Sequence, residues 1–263
     1  MKPSLFAIAI GLAASWWAVL PAADLSSSAG HNNHPEWAGF FDITPQVHEG
    51  EHYVPSHPGP FDPVNPNLDE LVQAHLKPWA LEKMKETNGL ADDLGAVCQS
   101  SGIFRYPTSA GSFLWLPEKD EILMISKDIN VAGVRRIYMN RNHPKNPSPS
   151  WLGDSVGRWE GDTLVVDTVS FNDKTWLSYG MEPHSEELHV IERVRKAAPD
   201  RMEIQTFVED RETLTSPYTF TRFYKQNGTE SPEHLCNAEP GEMRQWSAWR
   251  NTALKAESAG TAK

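Results

Sequence analysis

The chain has 263 residues, a formal net charge of −11 at pH 7 and ten tryptophans. That length holds one all-β domain or two smaller ones and is ample for a substantial core. The acidic balance, with no stripe of Lys or Arg, argues against nucleic acid or an anionic membrane as the main partner.

Met1-Lys2, the apolar run Leu5 to Leu20 and Pro21-Ala22-Ala23 read as a secretory signal peptide spanning residues 1–23. An uncleaved N-terminal anchor is the alternative. No Cys follows the apolar run, which disfavours a lipid anchor. No other long apolar run is present, so the mature chain is expected in the periplasm, free of the membrane.

Residues 24–66 are rich in Pro, His, Asn and Gly and read as an irregular arm. His31, His34, His48, His52 and His57 collect there, yet the flanking Pro and Gly promise no rigid frame and HEGEH is not HExxH. No metal is expected. From Leu68 the texture changes: Leu68, Leu71, Val72, Leu76, Trp79, Leu81 and Met84 fall roughly on one helical face, with Asn67 as cap, Gly89 as stop and Pro78 as a kink or break.

From Ile103 onward strands dominate. Phe113–Leu116, Glu121–Ser126, Gly133–Met139, Thr163–Phe171, Leu188–Arg195, Met202–Glu209 and Tyr218–Lys225 are short, alternating or β-branched segments between turn residues. Glu160-Gly161-Asp162 joins Gly157-Arg158-Trp159 to Thr163–Val169 as a tight hairpin. The fold class is therefore mainly β: an antiparallel barrel or strongly curved sandwich with an N-terminal helix, occupying residues 67–250, before a disordered tail at 251–263. With no GxGxxG or P-loop, no nucleotide or other cofactor is expected. Cys98 and Cys236 either form a long-range disulfide, worth roughly 3–5 kcal/mol, or stay as two buried thiols.

The candidate chemistry lies in polar residues within these strands. In Val134 to Asn140, period-two geometry puts Arg136, Tyr138 and Asn140 on one face and Arg135, Ile137 and Met139 on the other. Turned to a lumen, Arg136 and Tyr138 make an anion-stabilising, proton-transferring pair; turned to solvent, they are an ordinary surface pair. Asp167 interrupts an apolar run, and Glu192 shares a face with Leu188, Val190 and Val194. Carboxylates so placed need an Arg partner or a raised pKa. His184 and His143, in loops entering or leaving strands, suit proton exchange near neutral pH. Trp115, Trp151, Trp159 and Trp176, with His143, are the candidate walls of a site for an apolar or aromatic ligand.

The run from Arg135-Arg136-Ile137-Tyr138-Met139 through His143-Pro144, Trp151 and RWEGDTLVVDT (Arg158–Thr168) to His184-Ser185 and Glu192-Arg193 resembles an exported bacterial family of mostly unassigned function. The likeness covers about Leu68 to Cys236, and it implies a lipocalin-like barrel. Asp154 and Ser170 depart from the His and Gly frequent at those positions in that family. The chain is also similar to bacterial lyases that release formaldehyde from lignin-derived phenylcoumarans. That resemblance implies a cofactor-independent elimination in which Tyr138, His184, Asp167 and Glu192 share proton transfers and Arg136 stabilises an anion. A carrier of a small apolar ligand, and an isomerase or hydrolase using the same groups, are the alternatives. Self-association is left open.

Overall fold

Alternation of inward and outward side chains builds the wall. The computed structural model describes residues 34–44, 68–88, 92–97, 99–104, 112–126 and 133–227. Nine strands close into a single barrel. They are β1 (Gly39–Thr44), β2 (Ser112–Pro117), β3 (Glu121–Ser126), β4 (Val134–Met139), β5 (Asp154–Glu160), β6 (Thr163–Val169), β7 (His189–Ala198), β8 (Arg201–Glu209) and β9 (Tyr218–Asn227). Neighbours pair antiparallel, with β9 returning to β1, except at β4 and β5, which run parallel. Parallel neighbours cannot be joined by a tight hairpin, and residues 140–153 make the longer return. The mainly β barrel expected from the strand pattern is the observed fold and is lipocalin-like, as the resemblance implies; its pairing is antiparallel as expected except between β4 and β5.

One expectation needs correction. Residues 39–44 of the supposed irregular arm form β1, which pairs with both β2 and β9 and so closes the barrel. Phe41, fully buried, points into the core. The surrounding Pro and His residues hide this short strand, and its pairing partners are distant in sequence. The expected signal peptide, Cys98, Cys236, His31, His48, His52, His57 and the tail lie outside the described residues.

The helical stretch is divided at Pro78. Helix α1 spans Leu68–His75, and α2 spans Pro78–Glu86 with Pro78 in its first turn, where a missing N–H costs nothing. Leu68, Val72, Leu76 and Ala80 are buried against Leu188, Val190, Val208, Tyr218 and Phe220, so α1 and α2 cover one end of the barrel. Each such Leu or Val contributes about 1.5–3 kcal/mol. Backbone bonds from Lys77 N–H to Thr213 O (2.9 Å) and from Thr215 N–H to His75 O (2.7 Å) tie the helices to the β8–β9 connection. A second cluster fills the other half of the lumen, including Phe41, Phe113, Trp115, Ile137, Leu164, Val194 and Tyr224.

The glycines of the Gly157 to Asp162 motif have separate uses. Gly161 begins the two-residue loop between paired Glu160 and Thr163, at φ 62°, where a side chain would strain the backbone. Gly157, opposite Met139 on the parallel partner strand, leaves room for a neighbouring side chain: an added Cβ would lie 2.6 Å from Met139 Sδ.

Candidate functional site in the barrel lumen

Between the two apolar clusters the lumen is crossed by a polar belt. Arg135 on β4, Ser155 on β5, Thr168 on β6, Glu192 on β7, Thr206 on β8 and Arg222 on β9 are all buried, one from each of six consecutive strands. Each shares its strand parity with apolar core residues, so the closed wall carries it inward. Arg135, 3% exposed, forms a two-pronged salt bridge with Glu192: Nη1 donates to Oε1 at 3.1 Å and Nη2 donates to Oε2. Arg135 Nη2 also donates to Thr168 Oγ1 at 3.1 Å and Nε to Ser155 Oγ at 3.3 Å, while the two hydroxyls lie 3.0 Å apart. Such fork-to-carboxylate geometry is the strong form of the interaction.

Arg222 has no such partner. It is 2% exposed, its guanidinium sits 4.8 Å from the centre of the Phe220 ring, and Nη1 reaches only the Phe104 carbonyl at 3.5 Å. Among the described residues its Nε and Nη2 are buried with no hydrogen-bond partner. A desolvated cation without a counter-charge costs several kcal/mol, on the order of that for any buried ion. Both arginines, Glu192 and Thr206 line a cavity with Ile103, Phe104, Met124, Phe220 and Tyr224 among its walls. The cavity volume is ≈ 20 Å³, room for one bound water or a group of similar size.

The five residues expected to share a catalytic lumen do not meet. Glu192 is inside, as its apolar face requires. Arg136 is outside, its side chain 52% exposed and paired with Glu121 at 2.9 Å. Tyr138 is also outside, with the Arg141 guanidinium stacked 3.6 Å from its ring centre. The reason is parity: Ile137 and Met139 are the apolar alternates of β4, and they take Arg135 inward with them.

Asp167 faces outward too, between Val166 and Thr168, which point in. Its Oδ1 lies 2.8 Å from His189 Nε2 and 3.7 Å from His143 Nε2. His143 Nδ1 contacts Asp154 at 2.7 Å, Arg141 donates to the other Asp154 oxygen at 2.5 Å, and His189 Nδ1 contacts Glu209 at 3.0 Å. The partner demanded by this carboxylate is thus a pair of imidazoles rather than an Arg. Burial pushes the Asp167 carboxyl up, but His143 and His189 outweigh it and hold the group well below the usual range. Both imidazoles are raised in turn, His143 by Asp167 and Asp154, His189 by Asp167 and Glu209. This half-exposed chain of alternating charges lies on the outer wall.

His184 occupies neither place. It is buried below the barrel, where Nε2 accepts from the Thr175 hydroxyl at 2.7 Å and Nδ1–H donates to the Ser185 carbonyl at 3.0 Å. Burial lowers its pKa, so the neutral tautomer fixed by these bonds persists. Nearby, Gln73 of α1 donates to Glu182 at 2.9 Å. The Ser178 hydroxyl contacts Glu182 and also Asp69 of α1, the latter at 2.5 Å. One hydroxyl hydrogen cannot serve two carboxylates, so one contact needs a carboxyl proton. Burial, aided by the Asp69 charge, pushes Glu182 up to about 7 and assigns that proton to it.

None of the four expected aromatic walls borders the cavity. Trp115 is core, Trp159 stacks edge-on to Trp37 at 5.2 Å, Trp151 lies beside Lys174, and Trp176 bridges to Pro183. His143 belongs to the outer chain. The residues that do line the lumen, Arg135, Thr206 and Arg222, were missed, although each is a polar residue at a core parity within its strand. Among the described residues no group of His, Cys, Asp and Glu is arranged to hold a metal ion, and no helix is long and apolar enough to cross a membrane. No family model, curated protein or solved structure matches the chain.

Proposed function

We propose that this chain is a lipocalin-like binding protein that holds one small organic molecule in the barrel lumen, and that it works in the periplasm after export. The observation that carries the reading is the cavity itself: apolar side chains of Ile103, Phe104, Met124, Phe220 and Tyr224 surround a few convergent polar groups inside a closed wall. That composition suits a ligand with an apolar body and one polar end. The dispersal of Arg136, Tyr138, Asp167 and His184 into separate pairings supports binding over acid and base catalysis, because proton transfer needs its donor and acceptor within reach of one substrate.

A second reading keeps the elimination chemistry. Glu192, held by Arg135, and Tyr224 border the same cavity, which puts a carboxylate and a phenol beside any substrate there that loses water or formaldehyde. Purified protein incubated with a panel of small phenols, alcohols and phenolic dimers separates the two. Stoichiometric binding by native mass spectrometry with the ligand recovered unchanged supports the carrier. Catalytic release of formaldehyde or water, abolished by Glu192→Gln, overturns it in favour of the lyase.

A further inference from the structure

We infer that Arg222 is the recognition group for a carboxylate, and that the lumen ligand is a small organic monocarboxylate. This rests on the reading of the lumen as a ligand site and names the ligand's chemical class.

Three observations converge. The first is charge: within the belt Glu192 is engaged by Arg135, and Arg222 is left as a second buried cation with no acidic partner among the described residues. One uncompensated positive charge calls for one negative charge. The second is geometry. In a guanidinium, Nε–H and the Nη2–H cis to it point in parallel from one edge, and these are the two Arg222 atoms without partners. That edge matches the two oxygens of a carboxylate, which accept one hydrogen bond each. The remaining nitrogen, Nη1, already faces the Phe104 carbonyl, so the group is held with its free edge available.

The third is the surroundings. Arg222 lines the cavity beside Phe104, Phe220 and Tyr224, so an apolar body attached to the carboxylate has aromatic side chains to pack against, while the other two charges of the lining, Arg135 and Glu192, already pair with each other. The small open volume admits the headgroup first. A body as large as one ring requires the Ile103–Phe104 turn, which belongs to no strand, to yield. A phosphate dianion suits the site less well, since Glu192 borders the same small space and only one cation is uncompensated.

The test uses thermal unfolding of the whole mature chain with a panel of acetate, butyrate, benzoate and 4-hydroxybenzoate, against the neutral amide of each acid. At least one carboxylate is expected to raise Tm at millimolar concentration while its amide is at least tenfold weaker. Arg222→Met, which replaces the lone cation by an apolar chain of similar reach, is expected to fold with unchanged or higher Tm and to lose the carboxylate effect. Arg222→Lys, which keeps charge but not the two-donor edge, is expected to weaken it about tenfold. Should Arg222→Met fail to fold, the Nε–H signal of Arg222 in the wild type, followed by NMR, is expected to shift on carboxylate addition and not with the amide. Amides as effective as acids, with Arg222→Met binding normally, would overturn the role of Arg222 and leave the lumen reading intact. No response to any acid or amide, with a still Arg222 signal, would overturn both.

Discussion

Arg135 grips both carboxylate oxygens of Glu192 across the lumen, from strands β4 and β7, which are separated around the wall by β5 and β6. The pair therefore braces the barrel along a chord rather than along a strand-to-strand ladder. Removing either partner leaves a buried charge behind. Glu192→Ala is expected to cost about 3–5 kcal/mol in urea unfolding, and Arg135→Met combined with Glu192→Leu to recover most of that loss, because the desolvation penalty of both ions disappears with the pair. A silent single mutant would show that the belt is more hydrated than its burial indicates.

The outer chain is expected to titrate without much effect on stability. The raised His143 and His189 contribute stability fully below the ordinary value of 6.5, and it is lost as pH rises through their folded values. The depressed Asp167 contributes above 3.8, and its share is lost as pH falls toward its folded value. The cluster is thus most stabilising in the window between those two values. Asp167→Asn should bring both imidazole titrations, followed by NMR, down toward 6.5 and cost less than about 1 kcal/mol at pH 6, since partly exposed pairs are screened.

Glu182 runs in the opposite direction from an ordinary carboxylate. Folding raises it from 4.5 to about 7, so the folded chain binds the extra proton and stability falls as pH rises between those values. Glu182→Gln, which keeps a group able to hydrogen-bond Ser178, should flatten that slope in pH-dependent denaturation. Amide protection in α1, corrected for the intrinsic exchange rate, should fall with rising pH in the wild type only, because Asp69 and Gln73 anchor α1 to the Glu182 and Ser178 pair.

His184 supplies a slope of the other sign. Its folded pKa is depressed by burial below 6.5, so unfolding takes up a proton and stability falls as pH drops from 6.5 toward the folded value. His184→Gln should remove this acid sensitivity, with a cost of about 1–3 kcal/mol at pH 7 from the disturbed bonds to Thr175 and Ser185. Persistence of the same acid slope in the variant would assign it to other groups.

Two backbone positions make a paired test. Ser170 adopts φ 59° and Gly161 φ 62°. Ser170→Gly is expected to stabilise by up to about 1 kcal/mol and Gly161→Ala to destabilise by a similar amount, since only glycine takes this conformation freely. Thermal melts of both variants read the sign directly.

Much of the architecture was legible in the linear chain. Period-two alternation located β2 through β9, the Gly161 turn located the hairpin, and Pro78 divided the helices, because these signals depend on residues close in sequence. Parity also put Glu192 on the core face. It could have done the same for Arg135, whose neighbours Ile137 and Met139 occupy that face, and for Arg222 between Phe220 and Tyr224. The polar alternates Arg136 and Tyr138 drew the lumen assignment instead, although they occupy the solvent face of β4.

What local pattern could not decide was pairing across the closed wall. Strand β1 became part of the barrel only through its hydrogen bonds to β2 and β9. The choice of Arg135 for Glu192 and the imidazole partners of Asp167 arise from segments 20 or more residues apart brought together by closure, whereas His184 is held by Thr175 and Ser185 within its own connection. Sequence determined which residues each strand turns inward, because hydrophobic alternation is a local property. Only the tertiary structure decided which buried charges find one another and that Arg222 finds none among the described residues, because electrostatic partnership depends on distance through space across the lumen.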